Sequence, residues 1–286
     1  MKPNPCILLL AISLLLSAGC GKPDGTFPGP DGGRIYIVGH GGSGFSDQAE
    51  FPPNSWPSAT RAVEYYNADG VEVDVQMSRD RIPFMFHDQN LESASSCSGC
   101  VYAYNAADLG RCRFKSFSGA AGGRLSRVED LIARFAARKI KPLVFLDLKV
   151  PGDCFRTKEE RRAYGYAVLG ALDTIIKKYA ARDWVILQCA SRRWLAYSRS
   201  RFPDMRLMLD YIEVKEDIDY AAEQNLYGVA GSSQALSPEE VQYAHEKGLH
   251  VQLYGVKLQG DIADALDKSP DYFLADNILL VQRMVD

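Results

Sequence analysis

Val71-Glu72-Val73-Asp74-Val75-Gln76-Met77-Ser78-Arg79-Asp80-Arg81-Ile82-Pro83-Phe84-Met85-Phe86-His87 opens on two carboxylates that alternate with valines. Side chains on a strand repeat with period two, so Glu72 and Asp74 share one face and the three valines pack on the other. A second apolar run, Ile82 to His87, follows after only a few residues. A parallel crossover needs a dozen or more residues, so the two runs must form an antiparallel hairpin turning near Arg79-Asp80. A two-residue loop at Arg79-Asp80 sets position 72 opposite position 87, and one at Asp80-Arg81 sets 74 opposite 87. Directly opposed residues share a face, so both registers place His87 beside a carboxylate.

Outward from this hairpin, short apolar strands alternate with helical stretches. Strands are expected near Ile35–Gly39, Val71–Val75, Leu143–Leu148, Trp184–Cys189, Arg206–Leu209, Tyr227–Ala230, His250–Tyr254 and Tyr272–Ala275. Helical segments run through Ser55–Asn67, Val128–Arg138, Lys158–Tyr179, Pro238–Lys247 and Ile262–Leu266. Eight strands with intervening helices predict an α/β (β/α)8 TIM barrel, with the hairpin after strand 2 rising above the rim; a doubly wound open sheet is the competing arrangement. A chain of 286 residues, 47% of them hydrophobic, suits one such domain. Its net charge of −3 offers no basic footprint, so no nucleic-acid partner is expected. Nothing in the sequence speaks to oligomeric state.

At the N-terminus, Lys2 precedes an apolar run from Ile7 to Leu16 that ends in Ser17-Ala18-Gly19-Cys20. The run is too short for a membrane span and fits the apolar core of a signal peptide over residues 1–19. Small residues before a cysteine resemble the lipobox of bacterial lipoproteins, which makes Cys20 a candidate lipidation site; a plain secretory signal is the alternative. Residues 20–33 are rich in glycine and proline and read as a lipid-anchored flexible tether to a barrel domain over residues 34–286. The expected location is outside the cytoplasm, membrane-anchored, facing the periplasm or cell exterior. Export favours disulfides among Cys97, Cys100, Cys112 and Cys154, with the pairing open, over a zinc site at the CxxC. Cys189 lies in an apolar run and reads as a buried free thiol.

In a barrel the C-terminal ends of the strands converge on one rim. His40, Glu72, Asp74, Asp147 and Lys149 all fall there, and the hairpin brings in His87. Two acids on an apolar strand are costly without a compensating cation, whether a metal ion, Lys or Arg. His245 and His250 read as structural, and Arg192 or Arg193 as a solvated helix start or a supplementary phosphate cation.

Ile37-Val38-Gly39-His40-Gly41-Gly42-Ser43-Gly44-Phe45, Pro53-Asn54-Ser55, Ala68-Asp69-Gly70 through Val75, Phe86-His87-Asp88, Asp147-Leu148-Lys149 and Ala275-Asp276-Asn277 together resemble the signature of glycerophosphodiester phosphodiesterases. The resemblance implies a barrel, a Ca²⁺ or Mg²⁺ requirement, and hydrolysis of a small-molecule glycerophosphodiester to sn-glycerol 3-phosphate and an alcohol. It casts His40 and His87 as the acid–base pair, Glu72, Asp74 and Asp147 as metal ligands, and Lys149 and Tyr254 as phosphate- or substrate-binding residues. Four positions depart from the pattern. Gly41 stands for an Arg, Pro53 for a Glu, Asp147 for a Glu and Tyr254 for a Trp. These departures point to an altered substrate preference. Gly41 and Pro53 also motivate an alternative, a barrel that binds phosphate-containing ligands without turnover, and a further alternative is a phospholipase-D-like lyase that leaves a cyclic phosphate.

Overall fold

The computed structural model describes residues 33–45, 50–115 and 123–285. The expected signal peptide, Cys20 and all of the tether but Gly33 lie outside the described residues. Nine strands are found among the described residues: β1 (Tyr36–Gly39), β2 (Gly70–Met77), β3 (Pro83–Met85), β4 (Leu143–Leu148), β5 (Val185–Cys189), β6 (Arg206–Leu209), β7 (Gly228–Ser232), β8 (His250–Tyr254) and β9 (Tyr272–Ala275). They are hydrogen-bonded in the order β1-β9-β8-β7-β6-β5-β4-β2-β3, and β1 pairs again with β2. That last pairing closes eight parallel strands into a TIM barrel and excludes the open sheet. β3 stays outside the ring as the antiparallel partner of β2.

The α-helices among the described residues are α1 (Trp56–Glu64), α2 (Ala106–Leu109), α3 (Val128–Ala136), α4 (Lys158–Lys178), α5 (Arg192–Arg201), α6 (Lys215–Glu223), α7 (Pro238–Glu246), α8 (Gln259–Asp267) and α9 (Ile278–Val285). Local chemistry sets several of their starts. Ser55 caps α1, and Thr157 and Ser237 form capping boxes with Glu160 and Glu240. Each cap satisfies N–H groups that a helix cannot pair internally. No helix among the described residues is long and apolar enough to cross a membrane.

Three apolar clusters organise the packing. Val71, Val73 and Val75 point outward into the shell beneath the helices, with Leu131, Ile132 and Leu169. Period two then obliges Glu72 and Asp74 to face the barrel interior. That interior is filled by Val38, Phe145, Ile186, Met208, Ala230, Tyr272 and Leu274. The third cluster, with Phe84, Phe86, Leu91, Val101, Leu109 and Phe114, forms the small lobe that follows β3. Disulfides Cys97–Cys112 and Cys100–Cys154 staple this lobe, the second tying it to the segment after β4. Cys189 is free and buried, and burial pushes its thiol up to about 12.

The hairpin register differs from both sequence expectations. Val75 pairs with Met85, Gln76 with Phe84 and Met77 with Pro83. The loop is Arg79-Asp80-Arg81, closed by a bond from Ser78 N–H to the Ile82 carbonyl at 3.0 Å, with Arg81 left-handed at φ 66°. A third loop residue in that conformation is a common hairpin solution that pattern alone does not distinguish from a two-residue turn. The one-residue change would set His87 opposite Val73, on the wrong face. β3 ends at Met85, however, and the last ladder-like bond runs from Phe86 N–H to the Asp74 carbonyl at 2.9 Å. Beyond it the chain leaves the sheet, and His87 turns into the barrel mouth.

Candidate active site

At the C-terminal ends of the strands, a cavity of about 140 Å³ is lined by His40, Glu72, Asp74, His87, Asp147, Lys149, Gln188, Asp210, Tyr211, Gln252, Tyr254 and Leu274. Strand register sets the layers. Asp74 on β2 lies beside Asp147 on β4, and Glu72 sits one layer deeper beside Phe145. The three acids are buried, and one oxygen from each lies within 4.8 Å of the others. Glu72 accepts a 3.0 Å bond from the Gly41 N–H. Asn54, left-handed at φ 59°, grips Asp74 twice: its Nδ2 donates to Oδ2 at 2.6 Å, and its Oδ1 accepts from the Asp74 N–H at 2.7 Å.

Charge around these acids is unbalanced. Burial, and then the charges of Asp74 and Asp147, raise the Glu72 carboxyl well above the usual carboxylate range. Burial also raises Asp147 and Asp210. Among the described residues, Lys149 is the single ammonium lining this cavity. It bonds Asp147 and approaches Asp74 at 3.2 Å. Burial works against its charge, yet these two carboxylates hold its proton more firmly than usual. Four carboxylates facing one ammonium leave a surplus of negative charge where water is scarce. Three convergent hard oxygen donors fit a divalent cation such as Ca²⁺ or Mg²⁺.

Each histidine is held by a carboxylate. His40, at the end of β1, has Nδ1 2.8 Å from Oδ1 of Asp276. His87 has Nδ1 2.8 Å from Oδ1 of Asp88. Against the effect of burial, these bonds keep Asp276 and Asp88 below the usual carboxylate range. Tethered through Nδ1, both rings leave Nε2 for chemistry at the cavity. The Phe45 ring lies 4.4 Å from that of His40 and 6.0 Å from that of His87.

Every cavity residue singled out in the sequence is therefore brought together: His40, Glu72, Asp74, His87, Asp147, Lys149 and Tyr254. The Tyr254 ring packs 6.0 Å from Tyr211, whose hydroxyl bonds Lys149 at 3.3 Å. Arg192 instead pairs with Asp217 and lies over Tyr220, and Arg193 lines a separate groove with Lys158, Arg161 and Arg162. His245 and His250 both bond Asp271, beside the N-terminal end of β9. Asp210, Gln188, Gln252 and Tyr211 also line the cavity and were not among the residues expected there, and Asn54, Asp88 and Asp276 of the matching motifs had no expected role. Strand alternation carried a signal for Gln188 and Gln252, which share the inward phase of Ile186 and His250. Asp210, directly after β6 and in the inward phase of Met208, carried the same strand-end signal as His40, whereas Tyr211 beyond it carried none.

The profile described as the Glycerophosphoryl diester phosphodiesterase family matches residues 46–280. A glycerophosphodiester phosphodiesterase of Bacillus subtilis is 23% identical over 289 residues, covering 93% of both chains. Among solved structures, a phosphodiesterase of Oleispira antarctica in complex with the product sn-glycerol-3-phosphate superposes with a TM-score of 0.72 at 16% identity, covering 87% of this chain and 96% of that one. A glycerophosphodiester phosphodiesterase of Agrobacterium tumefaciens gives 0.69 at 17%, covering 87% and 99%. At such identities the structural likeness concerns the fold.

Proposed function

This chain belongs to the glycerophosphoryl diester phosphodiesterase family, and from that premise we propose that it hydrolyses glycerophosphodiesters with a divalent cation at Glu72, Asp74 and Asp147. The observation that carries the reading is the convergence of two carboxylate-held histidines and three buried acids on one cavity. A bound Ca²⁺ or Mg²⁺ supplies Lewis-acid charge to phosphate oxygens. Lys149 adds a fixed positive charge where the phosphoryl group becomes more negative. The bond to Asp276 orients His40 with Nε2 toward the cavity, and Asp88 does the same for His87. One ring takes the nucleophile's proton and the other protonates the departing alkoxide, a service worth about 10²–10⁴-fold in rate. The nucleophile is water or a hydroxyl of the substrate's own glycerol.

The Gly41 position supports an altered substrate preference. A Cβ there would lie 2.6 Å from the Phe45 ring and 2.9 Å from Pro53, and its φ is 57°. No arginine can stand beside His40 while those two residues close over it, so phosphate recognition rests on Lys149 and the cation.

The test is a panel of glycerophosphodiesters assayed with Ca²⁺ or Mg²⁺ and with chelator, products followed by phosphorus NMR. Cation-dependent release of glycerol 3-phosphate, lost in His40→Ala and His87→Ala, is the expected result. A cyclic phosphate end product would assign the lyase reading, and cation binding with no turnover would leave only a ligand-binding role.

We also propose that the mature protein is exported and held at a membrane through lipidated Cys20. The short apolar run before Ser17-Ala18-Gly19-Cys20 supports this, as do two disulfides, which persist in oxidising compartments. Mass analysis of the mature N-terminus should show a lipid on Cys20 that Cys20→Ser abolishes; an unmodified cysteine would overturn the proposal.

A further inference from the structure

A second cavity, of about 430 Å³, lies against the first and shares His87 with it. The two differ in chemistry. The floor of the first is polar: Gln188 donates to the Gln252 side-chain oxygen, and the Gln252 Nε2 is buried without a partner among the described residues. Asp210 beside them accepts a 2.8 Å bond from the Tyr211 N–H. A buried amide donor with no acceptor is costly, and a hydroxyl-bearing ligand would satisfy it. The second cavity is walled by Phe45, Pro53, Phe86, Ala94 and Phe114. Phe45 and Pro53 are the pair whose closure over Gly41 leaves no room for a side chain at that position. The ammonium lining this cavity is that of Lys115, and the Asp88 carboxylate at its edge is already engaged by His87.

Resting on the function proposed above, we infer that the substrate is a phosphodiester with two unlike arms: a hydroxylated arm on the Gln188–Asp210–Gln252 floor, and an alcohol leaving group whose alkyl or acyl chain fills the pocket beyond His87. His87 stands on the boundary between the cavities, where the leaving oxygen must lie. As the bond from phosphorus to that oxygen breaks, its electron pair stays on oxygen and takes a proton from His87 Nε2. The new phosphorus–oxygen bond comes from the nucleophile, whose proton passes to His40 Nε2. A primary ammonium such as that of ethanolamine would meet Lys115 and lose hydration on the apolar wall, and choline, whose quaternary ammonium aromatic faces attract, is the comparison that separates a chain-binding pocket from an aromatic cage. An alkyl chain gains by burial, up to about fourfold for each methylene removed from water.

The experiment is a series of glycerol phosphodiesters whose second alcohol is methanol, butanol, hexanol, ethanolamine or choline, assayed on the full chain with Ca²⁺ or Mg²⁺. Expected is a kcat/KM that rises from methyl to hexyl and exceeds the choline and ethanolamine values by at least tenfold. Ala94→Trp, or Ser93→Trp at the rim should the first misfold, is expected to lower the hexyl-to-ethanolamine ratio by tenfold or more. A flat series, a preference for choline, or a ratio unmoved in a folded variant overturns the inference. Calorimetric binding to the His40→Ala variant separates this result from failure of the functional reading. Hexyl ester bound more tightly than ethanolamine ester supports the pocket whether or not turnover occurs, and equal or weaker binding refutes it.

Discussion

Replacing Lys149 with methionine removes an ammonium that lines the acidic cavity and keeps most of the side chain's length. At 3.2 Å from Asp74, an effective dielectric near 20 gives roughly 5 kcal/mol of attraction, and a second carboxylate, Asp147, shares the same ammonium. Much of that attraction offsets the cost of keeping the charges from water. Loss of one partner from such a buried group typically costs about 3–5 kcal/mol. For a chain of this size that corresponds to a Tm lower by roughly 6–10 °C in chelator. A divalent cation binds the folded acids and not the unfolded chain, so at about 100-fold over its Kd it returns roughly 2.7 kcal/mol. The assay is thermal unfolding by calorimetry or circular dichroism, for parent and Lys149→Met, in EDTA and in millimolar Ca²⁺ or Mg²⁺. The variant should melt lower in EDTA and recover more of its Tm with cation than the parent does. A variant that melts within a degree of the parent in EDTA, with neither responding to cation, would refute the view that these acids form one undercompensated charge cluster.

Glu72 binds its proton more tightly folded than unfolded, so its contribution to stability is full below its ordinary value of 4.5 and is lost as pH rises through the higher folded value. In chelator the Tm should therefore decline from about pH 4.5 upward, and saturating Ca²⁺ or Mg²⁺ should flatten that decline; a slope indifferent to the cation would contradict it. Asp276→Asn breaks the 2.8 Å tether on His40 and should lower kcat by about 10²–10⁴-fold while KM moves little, checked by steady-state kinetics on a variant shown to be folded by its melting curve. The Cys100–Cys154 bridge spans 54 residues, so a Cys100→Ser/Cys154→Ser variant should lose about 4 kcal/mol in the chain-entropy account. Denaturant titration would measure this, and an unchanged midpoint would show that the lobe holds without the bridge.

What the sequence by itself determined was whatever follows from local periodicity. Alternation over Val71–Val75 separates the valines from Glu72 and Asp74, because successive strand side chains must point to opposite faces. The spacing of apolar runs predicts a helix-covered parallel sheet with an outlying antiparallel hairpin, because a few residues cannot make a parallel crossover; closure into a barrel rests on the β1–β2 pairing. His40, Asp147 and Lys149 were legible as well, since each ends a strand and strand ends share a rim.

Tertiary structure decided what depends on distance between segments far apart in the chain. A three-residue hairpin loop in place of two would have turned His87 away, and only its departure from the sheet after Phe86 returns it to the cavity. The partners of the functional groups come from afar: Asp276 lies 236 residues from His40, and Asn54 lies 20 from Asp74. Closure of the barrel brings the Gln252 amide and Asp210 onto the floor, and the pairing of four cysteines follows from how the lobe folds over β4. Nor does a glycine at position 41 announce that Phe45 and Pro53 close over it. Alternation and spacing are properties of a short segment, whereas a cavity exists only once the ring has closed and each wall has acquired its neighbour.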